Sequence, residues 1–348
     1  MREERDVFGE LPTLCIGGRR PEEAVRNILR RKAEREAGQI APTSCKTACI
    51  LQGGAMRGVA SAGAIIALEQ LGFTRAFDAV YGASAGAING AYFLAGQAAF
   101  GTSIYYQDIA NRRFINPWRV RKIVDMDFLF DEIIARRKRL DLVRLRENPT
   151  PLRIIATDAL TGRETIFSSH DENADLLAAL KASAALPILY PHPVRIDDRL
   201  YVDGGVANAI PIEPALREGC TDLLVVLTVP KTHRAQPSHI LERTLAARWL
   251  RPLSPSLERA FLHRHEAYNR ALDLALGRHE VSANIVALFL APRLSLRRLT
   301  TDVRTLKRAA IEMGRLTLRI FTGADHQPVE LLHFMRSDPY DRQEALSL

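Results

Sequence analysis

Residues 78–90, Asp78-Ala-Val-Tyr-Gly-Ala-Ser-Ala-Gly-Ala-Ile-Asn-Gly90, constrain the fold of this chain more than any other stretch. Ala79-Val80-Tyr81 predicts the end of a strand, Gly82 to Gly86 a sharp turn, and Ala87 to Ala95 a helix of small residues. A serine at the centre of G-x-S-x-G in a strand–turn–helix setting sits on a strained bend with its hydroxyl exposed. Gly82 and Gly86 offer no Cβ to the chain segments that must pass on either side. Ser84 also faces the positive end of the helix that follows. The competing reading is a small-residue turn that packs a helix tightly onto a sheet, so the decision rests on other segments.

Upstream, Thr47-Ala-Cys-Ile-Leu-Gln52 reads as a buried strand and Val59–Leu71 as a helix stopped at Gly72. Between them lies Gly53-Gly54-Ala55-Met56-Arg57-Gly58, a loop that presents backbone N–H groups to an anion. The dinucleotide fingerprint fails here, at Ala55 or at Met56 depending on the starting glycine. The lysine followed by Ser/Thr that a phosphate loop needs is missing too. An oxyanion loop fits better, with Arg57 as a fixed positive charge. Downstream, Arg199-Leu-Tyr-Val-Asp203 reads as a strand that delivers Asp203 to Gly204-Gly205. A serine hydroxyl needs a base, and none of the nine histidines sits at a strand end as Asp203 does. An exposed carboxylate at about 3.9 is a feeble base at neutral pH, and burial raises that value. Asp-Gly-Gly also fits a hairpin turn.

The remaining strands are read at Pro151–Thr157, Thr165–Ser168, Leu223–Val229 and Asn284–Leu290, the last two apolar throughout as in strands buried on both faces. Alternation with helices at 174–184, 240–250 and 299–320 predicts an α/β fold with a largely parallel sheet. Residues 1–45 are read as a peripheral helical extension: Gly17-Gly18 as a turn, Pro21–Gly38 as a helix packed lightly on the surface. Residues 46–230 form the expected catalytic core, and 231–348 a strand and basic helices completing the same domain. The mixture of bases and aromatics over 100–150 fits helical cover over a core better than a nucleic-acid surface.

Four scattered cysteines argue against a disulfide framework or a zinc site. No apolar run reaches the ~18 residues of a membrane span, and the N-terminus lacks the apolar core of a secretory signal. The expectation is a soluble, cytoplasmic protein. Residues 231–320 carry 17 Lys/Arg against 7 Asp/Glu, a surplus of ten where the whole chain has a net +8. Such a surface suits peripheral association with anionic membrane; it equally suits solubility.

Taken together, the glycine loop with Arg57-Gly58, the Gly82-Ala83-Ser84-Ala85-Gly86 elbow and Asp203-Gly204-Gly205 resemble the patatin-like phospholipases. Ala182-Ser183-Ala184-Ala185-Leu186-Pro187 and Ala156-Thr157-Asp158 with Thr161-Gly162 resemble further family stretches, and the likeness covers about residues 47–230. It implies a three-layer α/β/α sandwich and a Ser84–Asp203 dyad that cleaves fatty-acyl esters of lipids through an acyl-enzyme. The N–H groups of Gly53, Gly54 and Ala55 would hold the oxyanion, aided by Arg57 and Gly58, with Gly82, Gly86, Gly204 and Gly205 as supports. It implies no metal or organic cofactor, a lipid or acyl-ester substrate and no nucleic acid. The family's loop often has three glycines in a row; here Ala55 replaces the third. Acyl transfer to another acceptor, or a non-catalytic binding protein on the same fold, are the alternatives.

Overall fold

The computed structural model describes residues 15–41, 45–119, 122–294 and 296–323. His326 and His333, and the outer parts of both terminal segments read above, lie outside the described residues.

Among the described residues, nine strands form one sheet. In chain order they are β1 (Ile16–Arg19), β2 (Thr47–Leu51), β3 (Ala79–Ala83), β4 (Leu152–Asp158), β5 (Glu164–Ser168), β6 (Val194–Ile196), β7 (Arg199–Asp203), β8 (Asp222–Val226) and β9 (Asn284–Leu288). Their spatial order is β1-β9-β8-β2-β3-β4-β7-β6, with β5 also on β4. The five central strands β9, β8, β2, β3 and β4 are parallel, and antiparallel strands flank them. The helices are α1 (Pro21–Glu36), α2 (Val59–Gln70), α3 (Ala85–Leu94), α4 (Ala98–Ser103), α5 (Leu142–Glu147), α6 (Leu176–Ala184), α7 (Ile212–Arg217), α8 (Ile240–Trp249), α9 (Pro255–Ala275) and α10 (Val303–Thr322).

Period-two alternation within fully buried strands explains the layers. In β2, Cys49 and Leu51 join the core beneath α1, α2, α3 and α10, while Ala48 and Ile50 join the core beneath α7 and α9. The result is a central, mostly parallel sheet between two helical layers. Helix α2 is buried from Val59 to Leu68, so it lies inside its layer rather than on it. It crosses α10 so closely that a Cβ on Gly63 would lie 2.0 Å from the Ala310 carbonyl oxygen.

Two expectations for the N-terminal segment need correction. Gly17 and Gly18 are not a turn: they lie in β1, antiparallel to β9, with Gly17 opposite Ala287 and Gly18 opposite Val286. The tight pairing explains the residue type, because a Cβ on Gly18 would fall 1.9 Å from the Ile285 carbonyl oxygen. Nor is α1 lightly packed. Ala24, Val25, Ile28 and Arg31 are buried, and the Arg31 guanidinium reaches the Asp78 carboxylate at 2.6 Å.

Candidate active site

The sheet register brings Ser84 and Asp203 together. Ala83, the last residue of β3, pairs with Ile155 of β4. On the next residue of β4, Ala156, the partner is Asp203, the last residue of β7. Because β5 occupies the other edge of β4 at Ala156 and Thr157, β7 takes over the β3 edge where β3 leaves it. The two chains therefore run toward each other along one edge, and their ends carry the serine and the aspartate.

Ser84 sits between β3 and α3 with φ 57 and ψ −131, a left-handed-side conformation that is strained for any residue with a Cβ. The strain is held by its surroundings. The Ser84 N–H donates to Ser183 Oγ at 2.9 Å, and Ser183 Oγ–H donates to the Ile155 carbonyl at 2.5 Å. Gly86 supplies the close approach, since a Cβ there would lie 2.1 Å from the Leu51 carbonyl oxygen. Gly82 packs against Ala87, and Gly204 against the Ile155 carbonyl.

Asp203 is fixed as firmly. Its N–H donates to Ala185 O at 3.0 Å, and its carbonyl accepts from Thr157 Oγ1 at 2.8 Å. Only 3% of the residue is exposed. Oδ1 accepts from the Gly205 N–H at 2.6 Å, while Oδ2 is buried without a completed hydrogen bond among the described residues. Burial pushes the carboxyl up to about 6, against the opposite pull of the Ser84 hydroxyl, the Gly205 N–H and the Arg298 charge. Oδ2 is thus a basic oxygen beside Ser84 with free acceptor capacity.

The loop after β2 closes the third side. Gly54 has φ 128 and Ala55 φ 52, and this pair of unusual conformations turns successive N–H groups outward. Among the described residues, those of Gly53, Gly54 and Ala55 donate to no protein acceptor, whereas Gln52, Met56 and Arg57 donate to Val226 O, Arg298 O and Gly54 O. The loop is anchored by groups the sequence did not reveal. Thr228 Oγ1–H donates to Gly53 O at 2.7 Å, Gln52 Oε1 accepts from the Thr228 N–H at 2.7 Å, and Gln52 Nε2–H donates to Tyr268 Oη at 2.6 Å. Gly58 stands apart from the other loop residues: its carbonyl accepts from Ser61 Oγ and Asn89 Nδ2, so it anchors the loop from behind and is not part of the cavity lining. Arg57 is 9% exposed, with Nε unpartnered among the described residues.

Ser84, Asp203, Gly53, Gly54, Ala55, Arg57 and Gly205 all line one cavity of about 480 Å³. Leu186, Pro187, Ile188, Leu189 and Val206 add apolar wall. His233, His239 and His265 also line it, which their charged sequence surroundings did not suggest, but no hydrogen bond joins any of them to Ser84 or Asp203 among the described residues. Helix α9, absent from the sequence-based strand and helix assignment, brings Phe261, Arg264, His265 and Tyr268. Its capped start, Ser254-Pro255 with the Ser254 hydroxyl accepting from the Ser256 and Leu257 N–H groups, was the available signal.

A strained serine, a facing aspartate and an open N–H loop lie at the carboxyl ends of a parallel sheet, and residues 49–216 match the family model for patatin-like phospholipase. Among curated relatives, the uncharacterised Escherichia coli (strain K12) protein YjjU is 29% identical over 230 residues, covering 62% of this chain and 63% of that one. The uncharacterised NTE family protein Mb1092c of Mycobacterium bovis is 28% identical over 228 residues, covering 63% and 58%. Each match spans less than two thirds of the relative's own length. VipD from Legionella pneumophila is similar in structure with a TM-score of 0.40 at 15% identity, covering 81% of this chain and 67% of that one.

Proposed function

We propose that the protein is a serine acyl hydrolase that cleaves fatty-acyl esters of lipids through Ser84 and Asp203. The observation that carries this reading is the register on β4, which sets a strained serine against a buried carboxylate whose Oδ2 has no other hydrogen bond among the described residues. In the reaction, Ser84 Oγ attacks the ester carbonyl and its proton passes to Asp203 Oδ2. The negative charge that develops on the carbonyl oxygen meets the open N–H groups of Gly53, Gly54 and Ala55, with the Arg57 charge close by. Collapse expels the alcohol, which takes the proton from Asp203 and leaves an acyl-enzyme. Water, deprotonated by Asp203, then releases the fatty acid. The apolar wall from Leu186 to Leu189 suits the acyl chain.

A fluorophosphonate probe tests this directly. It should label the protein at Ser84. Ser84→Ala should lose labelling and lower ester turnover by several orders of magnitude, and Asp203→Asn should fold normally and lose most labelling. No histidine variant, His233→Ala included, should fall to the level of Ser84→Ala. One well-folded histidine variant that does so would make the site a Ser–His enzyme instead.

A further inference from the structure

Among the described residues, five residues other than glycine have positive φ, and Ile188, at φ 74, is the one β-branched side chain in that set. Branching at Cβ makes such a backbone a genuine outlier, whereas glycine would adopt it freely. Two of the other four, Ala55 and Ser84, line the cavity as Ile188 does. The conformation of Ile188 is imposed by hydrogen bonds around its turn. The Tyr190 N–H donates to Leu186 O at 2.9 Å, and Leu189 O accepts from the Val124 N–H at 3.1 Å. The Tyr190 hydroxyl donates to Asp127 Oδ1 at 2.7 Å, and Lys122 and Lys181 hold the same carboxylate. Strain that the surroundings over-determine in this way points to a task for the side chain.

The turn fixes where that side chain stands. Ala185 O accepts the Asp203 N–H. Ile188 follows three residues later, so the two Cα atoms lie within about 11 Å of each other. Ile188 lines the cavity together with Val206 and Phe261. It also packs against the apolar cluster that holds both of these residues and Ala246, Leu250 and Leu257. The cavity and the cluster therefore meet at Ile188. On the cavity side the apolar wall is open to a ligand; on the other side Leu250 and Leu257, both buried, fill the space.

We infer that Ile188, with Phe261 as its partner in cavity and cluster, sets the far limit for the acyl chain, so that the site discriminates against chains that reach beyond it. This deepens the reading that Ser84 cleaves acyl esters and rests on it for the bond cleaved. A chain that stops short of Ile188 exchanges water for the wall from Leu186 to Leu189. A longer one must displace close-packed side chains or leave its end in water. One misfitting methylene in a hydrophobic pocket changes selectivity by about 10- to 200-fold.

The test is kcat/KM for p-nitrophenyl butyrate and p-nitrophenyl dodecanoate, each kept below its aggregation threshold. Ile188→Gly should raise the dodecanoate-to-butyrate ratio at least about tenfold. Ile188→Ala trims the side chain yet leaves a Cβ on the strained backbone, and it should raise the ratio as well. Phe261→Ala, in the body of α9, should do so from the other side. A rise in Ile188→Gly without one in Ile188→Ala would trace the effect to backbone freedom and overturn the assignment. An unchanged ratio in both, with the two esters slowed together, would leave Ile188 a structural role only and overturn it too. Where neither Ile188 variant folds, Phe261→Ala decides, and an unchanged ratio there sinks the limit. Calorimetric titration of dodecanoate into Ser84→Ala separates this inference from the hydrolase reading. Adding Ile188→Ala to that protein should tighten dodecanoate binding at least about tenfold. Tighter binding without ester turnover by the parent protein would keep the limit and remove the hydrolase reading; turnover with no shift in ratio or binding does the reverse.

Discussion

Asp203 works against the fold in the state in which it serves the proposed reaction. Its folded carboxyl lies near 6 against about 3.8 for a free one, because burial outweighs its hydrogen bonds. The native state therefore keeps a proton that the unfolded chain releases, and stability falls as pH rises from about 4 through 6. The lost stability, present in full below pH 4, is on the order of 1–3 kcal/mol. Turnover moves the other way, since only the ionised carboxylate can take the Ser84 proton. We expect kcat/KM for a soluble ester to rise with pH along a single titration near 6 and then level off. Asp203→Asn should melt above the parent protein at pH 8, with the advantage vanishing at pH 4. Thermal melts at the two pH values decide the matter, and an asparagine variant less stable than the parent at pH 8 would contradict it. Ala55, on the facing loop, adds strain of the other kind: a methyl-bearing residue at φ 52, worth about 1–2 kcal/mol against the backbone.

Among the elements, α1 is held by a polar hub as well as by the apolar packing of Ala24, Val25 and Ile28. Arg31 has no exposed surface and binds Asp78, and it also donates to the carbonyls of Gln39, Ile40 and Ala41. Asp78 in turn accepts from Arg35 and from the Thr47 N–H. Burial alone would raise its carboxyl, but Arg31, Thr47 and Arg35 together hold it below the usual range. Arg31→Ala strands that carboxylate beside a single remaining arginine and should cost about 3–5 kcal/mol, measured by urea denaturation; a loss under 1 kcal/mol would show that Arg35 alone suffices. The hub was illegible in the sequence because an arginine among Arg30, Arg31 and Lys32 reads as solvated surface, and nothing local names its partner 47 residues on. β1 was missed for a related reason: glycine has low strand propensity, and the demand for it at Gly18 comes from Ile285, 267 residues away. By contrast β2, α2, β3 and α3 were legible since the signal was local, apolar runs broken by glycine at the positions where the backbone turns. Ser84 and Asp203 were readable as strand ends. Thr228, Gln52 and Tyr268 were not, because their task, holding the loop, depends wholly on the sheet order.

At the scale of the whole molecule, the surplus positive charge after residue 230 meets an apolar tip. Ile240 and Leu241, at the start of α8, are 83% and 71% exposed, and they lie between His239 and Glu242 of the cavity lining. Arg243 and Arg248 on the same helix are exposed as well. No helix among the described residues is long and apolar enough to cross a membrane, so contact with a bilayer would be made by such a surface. We expect binding to vesicles to grow with their anionic lipid content and to fade as salt is added. Ile240→Asp with Leu241→Asp should weaken it further while leaving fluorophosphonate labelling of Ser84 in place. Sedimentation with vesicles provides the readout, and binding indifferent to both charge and salt would reduce the arginines to solubilising surface.

The contact between the Met56 N–H and the Arg298 carbonyl at 3.0 Å also sets a timetable. Ser84, Asp203 and the open loop all lie in the first 205 residues, yet the strand that flanks β2 ends at Val226, Thr228 follows it, and the clasp on Met56 arrives only with residue 298. Parallel neighbours so distant in sequence pair late. A nascent chain leaving the ribosome therefore carries Ser84 long before the loop opposite can be locked, so on the proposed reading the site is completed only late in synthesis.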